Sequence, residues 1–430
     1  MRNEKLFNSR SRLTEFLKQI LPLVGRRDRQ HWGEVYVRGL LTEGGRKTAA
    51  AIGQRLPDGD VQALQQFVGQ SPWDNEPVRQ KLVQVLIKAM SSSPLWIVDD
   101  TGFPKKGTHS VGVARQYSGT LGKIGNCQVA VSLSYATDQA CIPLDFTLYL
   151  PEEWTQDRQR LRKAGVPENI TYKPKWELAL EMIDRARSWG IPEGAICADA
   201  GYGRVTRFRK ELASRQLKFV VGIDNTTGVW LEEVDLSPPR YQGFGRPRKR
   251  PKNVPKPQSV AEIAQNLPEE AWQTVTWREG TKGTLKSRFA CLRVQPSHSY
   301  YNRDEEPEKP LWLLIEWPLK EKEPTKYWFS NLPEDTPLKD LVYIAKGRWW
   351  IEQNYQQLKE ELGLDHYEGR SWLGWNHHVT LTMIAFGFLT LELLRDKKNF
   401  WVDYPEGTSG NPDHSGNMDG NMHGLWPKNN

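Results

Sequence analysis

Cysteine is scarce in this chain: four residues in 430, Cys127, Cys141, Cys197 and Cys291, spaced too widely to form any CxxC pair. That excludes a disulfide framework and a cysteine-rich zinc module, and it fits a reducing compartment such as the cytosol. Long apolar runs are missing too. The most apolar stretch, residues 379–394, is shorter than the roughly 20 residues a bilayer span requires and is interrupted by Thr380, Thr382, Gly387 and Glu392, so it reads as a buried helix. The first twenty residues, MRNEKLFNSRSRLTEFLKQI, lack the apolar core and small-residue cleavage site of a secretory signal. No internal repeat is visible. The excess of basic over acidic side chains is small, 59 − 52 = 7, so a polyanionic partner is compatible with the charge but not demanded by it.

What the chain does have is tryptophan, 18 of them, and a clear change of pattern along its length. Residues 1–92 read as helical: Leu13, Phe16, Leu17 and Ile20 recur at helical spacing, and so do Val61, Leu64 and Phe67. Two readings stand for this part, a small DNA-binding unit or an ordinary helical bundle. Residues 93–224 begin with strand-like runs (LWIVDDTGF, NCQVAVSLSYAT, IPLDFTLYL), then alternate helix and strand through KWELALEMIDRARSWG, AICADAG, FRKELASRQ and KFVVGID. Strands followed by β-α-β alternation predict an α/β fold with a mixed sheet. Residues 225–336 open with a basic Pro/Gly-rich segment and continue in short strand-like pieces, as an insertion would. Helix resumes over 337–395, and the Gly- and Asn-rich residues 396–430 predict a disordered tail.

Three acids stand out by context. Asp100, beside Asp99, and Asp199 each end a buried strand, while Glu352 lies on a helix far downstream. Cutting a phosphodiester with two hard cations about 4 Å apart calls for carboxylates converging from separate rigid elements, and strand carboxyl ends in an α/β sheet supply them. On the helix GRWWIEQNYQQLKEELGL, Ile351, Tyr355, Leu358 and Leu362 form an apolar stripe, and Arg348, Glu352, Gln356 and Lys359 share the adjacent face. Arg348 and Lys359 on that face are suited to DNA phosphates.

These words resemble the DDE transposases of bacterial insertion sequences, members of the RNase H-like superfamily that includes retroviral integrases. VDDTGFPKKG with HSVGVARQYSG is similar to the region of the first aspartate, giving Asp100, and ADAGYG to that of the second, giving Asp199. RWWIEQNYQQLKEELGLDHYEGR resembles the signature helix, giving Arg348, Glu352 and Lys359; where the signature has a tyrosine three residues before the arginine, this chain has Ala345. The resemblance covers roughly residues 30–395. It implies an RNase H-like core with a helical N-terminal domain and a β-rich insertion before the catalytic Glu. It also implies two Mg²⁺ or Mn²⁺ ions held by Asp100, Asp199 and Glu352, terminal inverted repeats and target DNA as partners, a homodimer in the synaptic complex, and a nucleoid-associated place in the cytoplasm. A transposase-derived DNA-binding protein and an RNase H-like nuclease without strand transfer are the alternatives.

Further basic residues are candidates for DNA contact. Lys105 and Lys106 follow the first acid, in what should be a hairpin. Residues 239–256 carry Arg240, Arg246, Arg248, Lys249, Arg250, Lys252 and Lys256 with no acid among them, and Gly245-Arg246-Pro247 resembles the core of an AT-hook. A flexible linker that touches backbone phosphate without selectivity is the other reading. His377 and His378 have no partner at metal-ligand spacing.

Overall fold

The structure, a computed structural model, describes residues 2–90, 94–249, 251, 253–280, 283–298 and 306–402. The N-terminal apolar spacing folds into five helices: α1 (Arg2–Ile20), α2 (Arg27–Leu41), α3 (Ala49–Arg55), α4 (Val61–Gly69) and α5 (Asn75–Ile87). Thr48, Asp60 and Asp74 start the last three, their side-chain oxygens accepting the N–H groups of Ala51, Ala63 and Glu76. Strands follow: β1 (Leu95–Pro104), β2 (Ala114–Ser118), β3 (Lys123–Ala136) and β4 (Cys141–Tyr149). Next come helices α6 (Glu152–Gln156), α7 (Arg158–Lys163) and α8 (Lys175–Ser188). Strand β5 (Ala195–Ala198) leads to α9 (Ala200–Gly203) and α10 (Thr206–Ser214), and β6 (Phe219–Ile223) follows.

The basic segment and its neighbours supply β7 (Gly228–Trp230), β8 (Gln258–Ser259), α11 (Val260–Gln265), β9 (Gln273–Gly280), β10 (Gly283–Pro296), β11 (Leu311–Trp317) and β12 (Lys326–Ser330). The chain then forms α12 (Leu338–Gly347), α13 (Trp349–Gln356) and α14 (Trp372–Val402). The last helix runs past residue 395 into the segment expected to be disordered; the rest of that segment lies outside the described residues.

Two compact units divide the chain, along lines other than the five sequential segments. The first holds the described residues of Met1–Pro94, Asp99–Pro192 and Trp350–Asn430; the second holds Leu95–Val98 and Glu193–Trp349. Strand β1 is thus divided, Leu95–Val98 to the second unit and the rest to the first.

In the first unit, β2 and β4 flank β3 antiparallel, and β3 lies beside β1. Helix α14 is its spine, packed against α2, α4 and α5. By length and composition this helix could cross a membrane, yet 89% of its most apolar window is buried inside the protein. Leu381, Met383, Ile384 and Ala385 are all fully buried, so the helix is apolar all round because protein surrounds it. Gly387 lets it approach α5: a Cβ there would meet Leu86 at 2.8 Å.

In the second unit, β1 pairs parallel with β5 and β5 parallel with β6. Strand β12 joins β6 antiparallel, then β11 and β10 follow, so the inserted strands extend the core sheet. Val220, Phe289, Leu314, Trp328, Leu341, Val342 and Ala345 form one apolar cluster under α12. The whole is a mixed α/β fold of the RNase H-like kind.

His377 and His378 are both fully buried on α14. His378 donates from Nε2 to the Gly363 carbonyl at 3.0 Å, so its Nδ1 accepts from the Tyr36 hydroxyl at 2.9 Å. That leaves no lone pair for a metal. Burial pushes His378 down to about 4. His377 stacks on Trp73 with ring centroids 3.7 Å apart, and both its nitrogens face carbonyls, those of Val68 and Trp73; these favour its charged form, but burial outweighs them and its pKa also falls to about 4. Below pH 6.5 the unfolded chain takes up protons that the folded chain refuses, so stability is lost between pH 6.5 and 4, by up to about 1.4 kcal/mol per pH unit for each histidine. Urea denaturation across that range checks this: His378→Gln should flatten the slope relative to the unsubstituted protein, while slopes that match would contradict the assignment.

Candidate active site

The first acid sits where β1 leaves its apolar run. Trp96, Ile97 and Val98 are fully buried, and alternation then turns Asp99 inward at 7% exposure while Asp100 is partly open. The Asp99 carboxylate accepts the Asp100 N–H at 2.8 Å. Asp100 has a cationic partner: its Oδ2 accepts from Lys175, the first residue of α8, whose ammonium also lies 5.7 Å from the centre of the Tyr149 ring. Nothing in the sequence singled out Lys175, which lies well beyond the first-acid motif. The glycine of the DDTG word is a packing requirement, since a Cβ on Gly102 would stand 2.1 Å from the Ser118 hydroxyl.

Asp199 ends β5 and caps α9. Its Oδ1 accepts from the N–H groups of Gly201 at 2.9 Å and Tyr202 at 3.3 Å, which orients the carboxylate at a helix N-terminus. The glycines of ADAGYG fit this turn tightly onto β6: a Cβ on Gly203 would overlap the Gly222 carbonyl at 1.9 Å, and one on Gly222 would meet the Ala200 nitrogen at 2.8 Å. Larger residues would push the turn, and Asp199 with it, off the sheet.

Glu352 is exposed on α13, but the helix that carries it is not the uniform one its spacing suggested. After Gln356 the chain makes a π-helical turn over Gln357–Glu361. Ile351, Leu358 and Leu362 are buried as expected, but Asn354 is also buried while Tyr355 is only partly so. Three side chains pin this segment to the first unit's sheet. Tyr355 and Ser132 of β3 share a hydrogen bond of 2.6 Å, and Asn354 donates to the Cys141 sulfur of β4 at 3.1 Å. Lys359, inside the π turn, donates to the Gly102 carbonyl at 2.9 Å and to the Thr120 hydroxyl at 2.8 Å. Thr120 also donates to Gly102, at 3.1 Å, so the three groups close a ring on β1 two residues past Asp100. Burial lowers Lys359 to about 8. Lys359 follows Glu352 by seven residues, the same step that separates the buried Ile351 and Leu358 across the π turn, and its ammonium is held against β1.

The other basic candidates differ in setting. Arg348, in the second unit, is partly exposed; burial pushes the Cys197 thiol up to about 12, and the Arg348 charge works against that shift, two residues before Asp199. Lys105 is half-buried and donates to the Tyr367 carbonyl at 2.6 Å, with its pKa lowered by burial. Lys106, Arg246, Arg248 and Lys249 are exposed, and Arg250 lies outside the described residues.

Among the described residues, no three His, Cys, Asp or Glu side chains are drawn into one metal-holding group; Asp100 and Glu352 belong to the first unit and Asp199 to the second. The donor chemistry nevertheless suits a hard divalent cation. All three are carboxylates, Asp199 keeps both backbone hydrogen bonds on Oδ1, and Asp100 already faces a positive charge on Lys175. The Lys359 ring should be measurable by itself. Lys359→Met removes two hydrogen bonds and should cost about 1–3 kcal/mol in urea denaturation, with Lys359→Arg recovering part of it; an unchanged midpoint in the Met variant would mean that the ring does not hold the segment.

Residues 19–284 match the family model described as DDE superfamily endonuclease, a span that includes Asp100 and Asp199 and stops short of Glu352. A probable transposase for insertion sequence element IS701 from Microchaete diplosiphon is 26% identical over 336 residues, 76% of this chain and 75% of its own length. The matched span covers well over half of the sequence, and with the two acids and the mixed sheet in place, the chain belongs to the DDE superfamily endonucleases.

Proposed function

We propose that this chain is a transposase that binds the ends of an insertion sequence, cuts them and joins them to target DNA. The observation that carries this reading is the register of β1 on β5. Ile97 stands opposite Cys197 as the last pair of a parallel register, after which β5 ends at Ala198 while β1 continues to Pro104. Counting on from that pair along the sequence, Asp99 and Asp199 each follow by two residues and Asp100 by three. Acids that follow so closely on a parallel register, at the carboxyl ends of the paired residues, support a reading as phosphoryl transfer. The relative's name, probable transposase, supports the same reaction class.

In this reading Asp100, Asp199 and Glu352 hold two divalent cations, Mg²⁺ or Mn²⁺, which when bound supply Lewis-acid charge at the scissile phosphate. The protein's own side chains do the rest. The paired N–H groups of Gly201 and Tyr202 hold Asp199 in one orientation, and Lys175 balances the charge of Asp100. Arg348 provides a fork for phosphate oxygens. The Lys359 ring fixes β1 to the segment that follows Glu352, so this lysine positions the Glu-bearing segment of the first unit instead of reaching freely for DNA. The nucleophile is water for cutting and a DNA 3′-hydroxyl for joining, so no covalent protein–DNA intermediate forms. Two copies bring the two ends together.

Incubation of purified protein with labelled element ends, target DNA and Mg²⁺ tests the proposal. Asp100→Asn, Asp199→Asn and Glu352→Gln should each lower cutting by at least about a thousandfold, or roughly 4 kcal/mol in barrier, while leaving end binding within a few-fold. Cutting without joining would reduce the function to a nuclease, binding without cutting to a DNA-binding protein, and full activity in any of the three variants would remove that acid from the site.

A further inference from the structure

The segment between β7 and β8 combines three features. It is basic: Arg240, Arg246, Arg248 and Lys249 are all exposed, and no acid occurs from residue 236 to 261. It also carries exposed aromatic surface, with Phe244 at 92% exposure, far above the other exposed large apolar residues, and Tyr241 at 54%. Finally, its glycines serve the turn and not the packing. A Cβ on Gly243 or Gly245 would meet nothing within 4 Å, yet both residues adopt positive φ, 85° and 72°, and the Tyr241 hydroxyl donates to the Gly245 carbonyl at 3.1 Å across the turn. The turn therefore holds Phe244 out in water, flanked by cations, with no internal contact that accounts for it.

We infer that this turn is a minor-groove element for A·T-rich DNA, in which Arg246 enters the groove and Phe244 wedges between base pairs. The inference rests on the reading of the chain as a DNA-acting protein and names a second contact, outside the three acids. A narrow A·T groove concentrates negative potential and attracts arginine, and its width of about 6 Å admits backbone but little side-chain bulk. Gly245-Arg246-Pro247 meets both conditions: glycine removes bulk, and proline removes an N–H that would otherwise face the groove without a partner. An apolar ring beside such a contact is what minor-groove proteins insert between base steps to kink the duplex. A merely basic linker has no use for an exposed phenylalanine. Among DNA surfaces the major groove fits less well, because the segment offers neither a helix nor a two-stranded ribbon.

The test uses full-length protein in EDTA, with two end-labelled duplexes of equal length, one with an A·T core and one with a G·C core. Binding is read by fluorescence anisotropy and bending by energy transfer between the ends. The unsubstituted protein should prefer the A·T duplex by about tenfold, lose that preference when netropsin fills the minor groove, and shorten the end-to-end distance. Arg246→Ala should abolish the preference while leaving weaker, non-selective binding. Phe244→Ala should keep the preference and lose the bend. Equal binding of both duplexes would overturn the groove assignment, and an undiminished bend in Phe244→Ala would overturn the wedge. Failure to bind either duplex would instead count against the DNA-acting reading as a whole.

Discussion

The candidate site depends on a short parallel pairing of buried residues between β1 and β5. Trp96 and Ile97 lie against Ile196 and Cys197, with at most 1% of any of them exposed. Strands enclosed on both faces disfavour charge within the paired residues, so the acids follow the last pair. That is where Asp99-Asp100 and Asp199 stand. A one-residue slip of β1 would turn Asp100 inward and Asp99 outward, exchanging a buried carboxylate for an open one. The dense apolar packing around β1 and β5 is therefore also what selects which aspartate meets solvent.

Much of this was legible in the residues. The buried strands, the amphipathic helix KWELALEMIDRARSWG and the lapse after Asp224 all appear as elements close to their expected positions, because each is encoded by local periodicity and turn residues. What local pattern does not encode is equally specific. The π turn at Gln357–Glu361 is not encoded in the 3.6 period, although the apolar stripe survives at Ile351, Leu358 and Leu362, and neither is the tie of the Lys359 ammonium to Gly102 and Thr120. Lys175 reaches Asp100 across 75 residues of chain, and no spacing rule relates them. The two compact units are likewise invisible in sequence order, because β1 contributes to both and α14 packs among helices from the opposite end of the chain.

The basic residues illustrate the same point in energetic terms. A net charge of +7 suggests a cationic surface, yet several cations are interior. Arg79 is fully buried, where it donates to Asp145 at 2.7 Å and to the Phe146 carbonyl at 2.8 Å; Arg209 pairs with Glu308 at 2.6 Å; Lys346 pairs with Glu316 at 2.5 Å and lies 4.4 Å from the Trp277 ring centre. Such pairs add little to stability on forming, because desolvation offsets attraction, but losing one partner strands a buried charge at a cost of about 3–5 kcal/mol. They specify packing and leave DNA binding to a smaller set of exposed cations.

Exposure and structural ties accordingly differ between one part of the protein and another. Phe244 is exposed and a side chain on Gly243 or Gly245 would meet nothing, so substitutions at these positions disturb little of the packing. Lys359 has no such freedom. Its ammonium completes a ring with Gly102 and Thr120, two residues past Asp100 and seven past Glu352, and a substitution there disturbs the strand and the helix together. A segment tied this way gains order, because strand and helix are held to one another, and it gives up tolerance to substitution for the same reason.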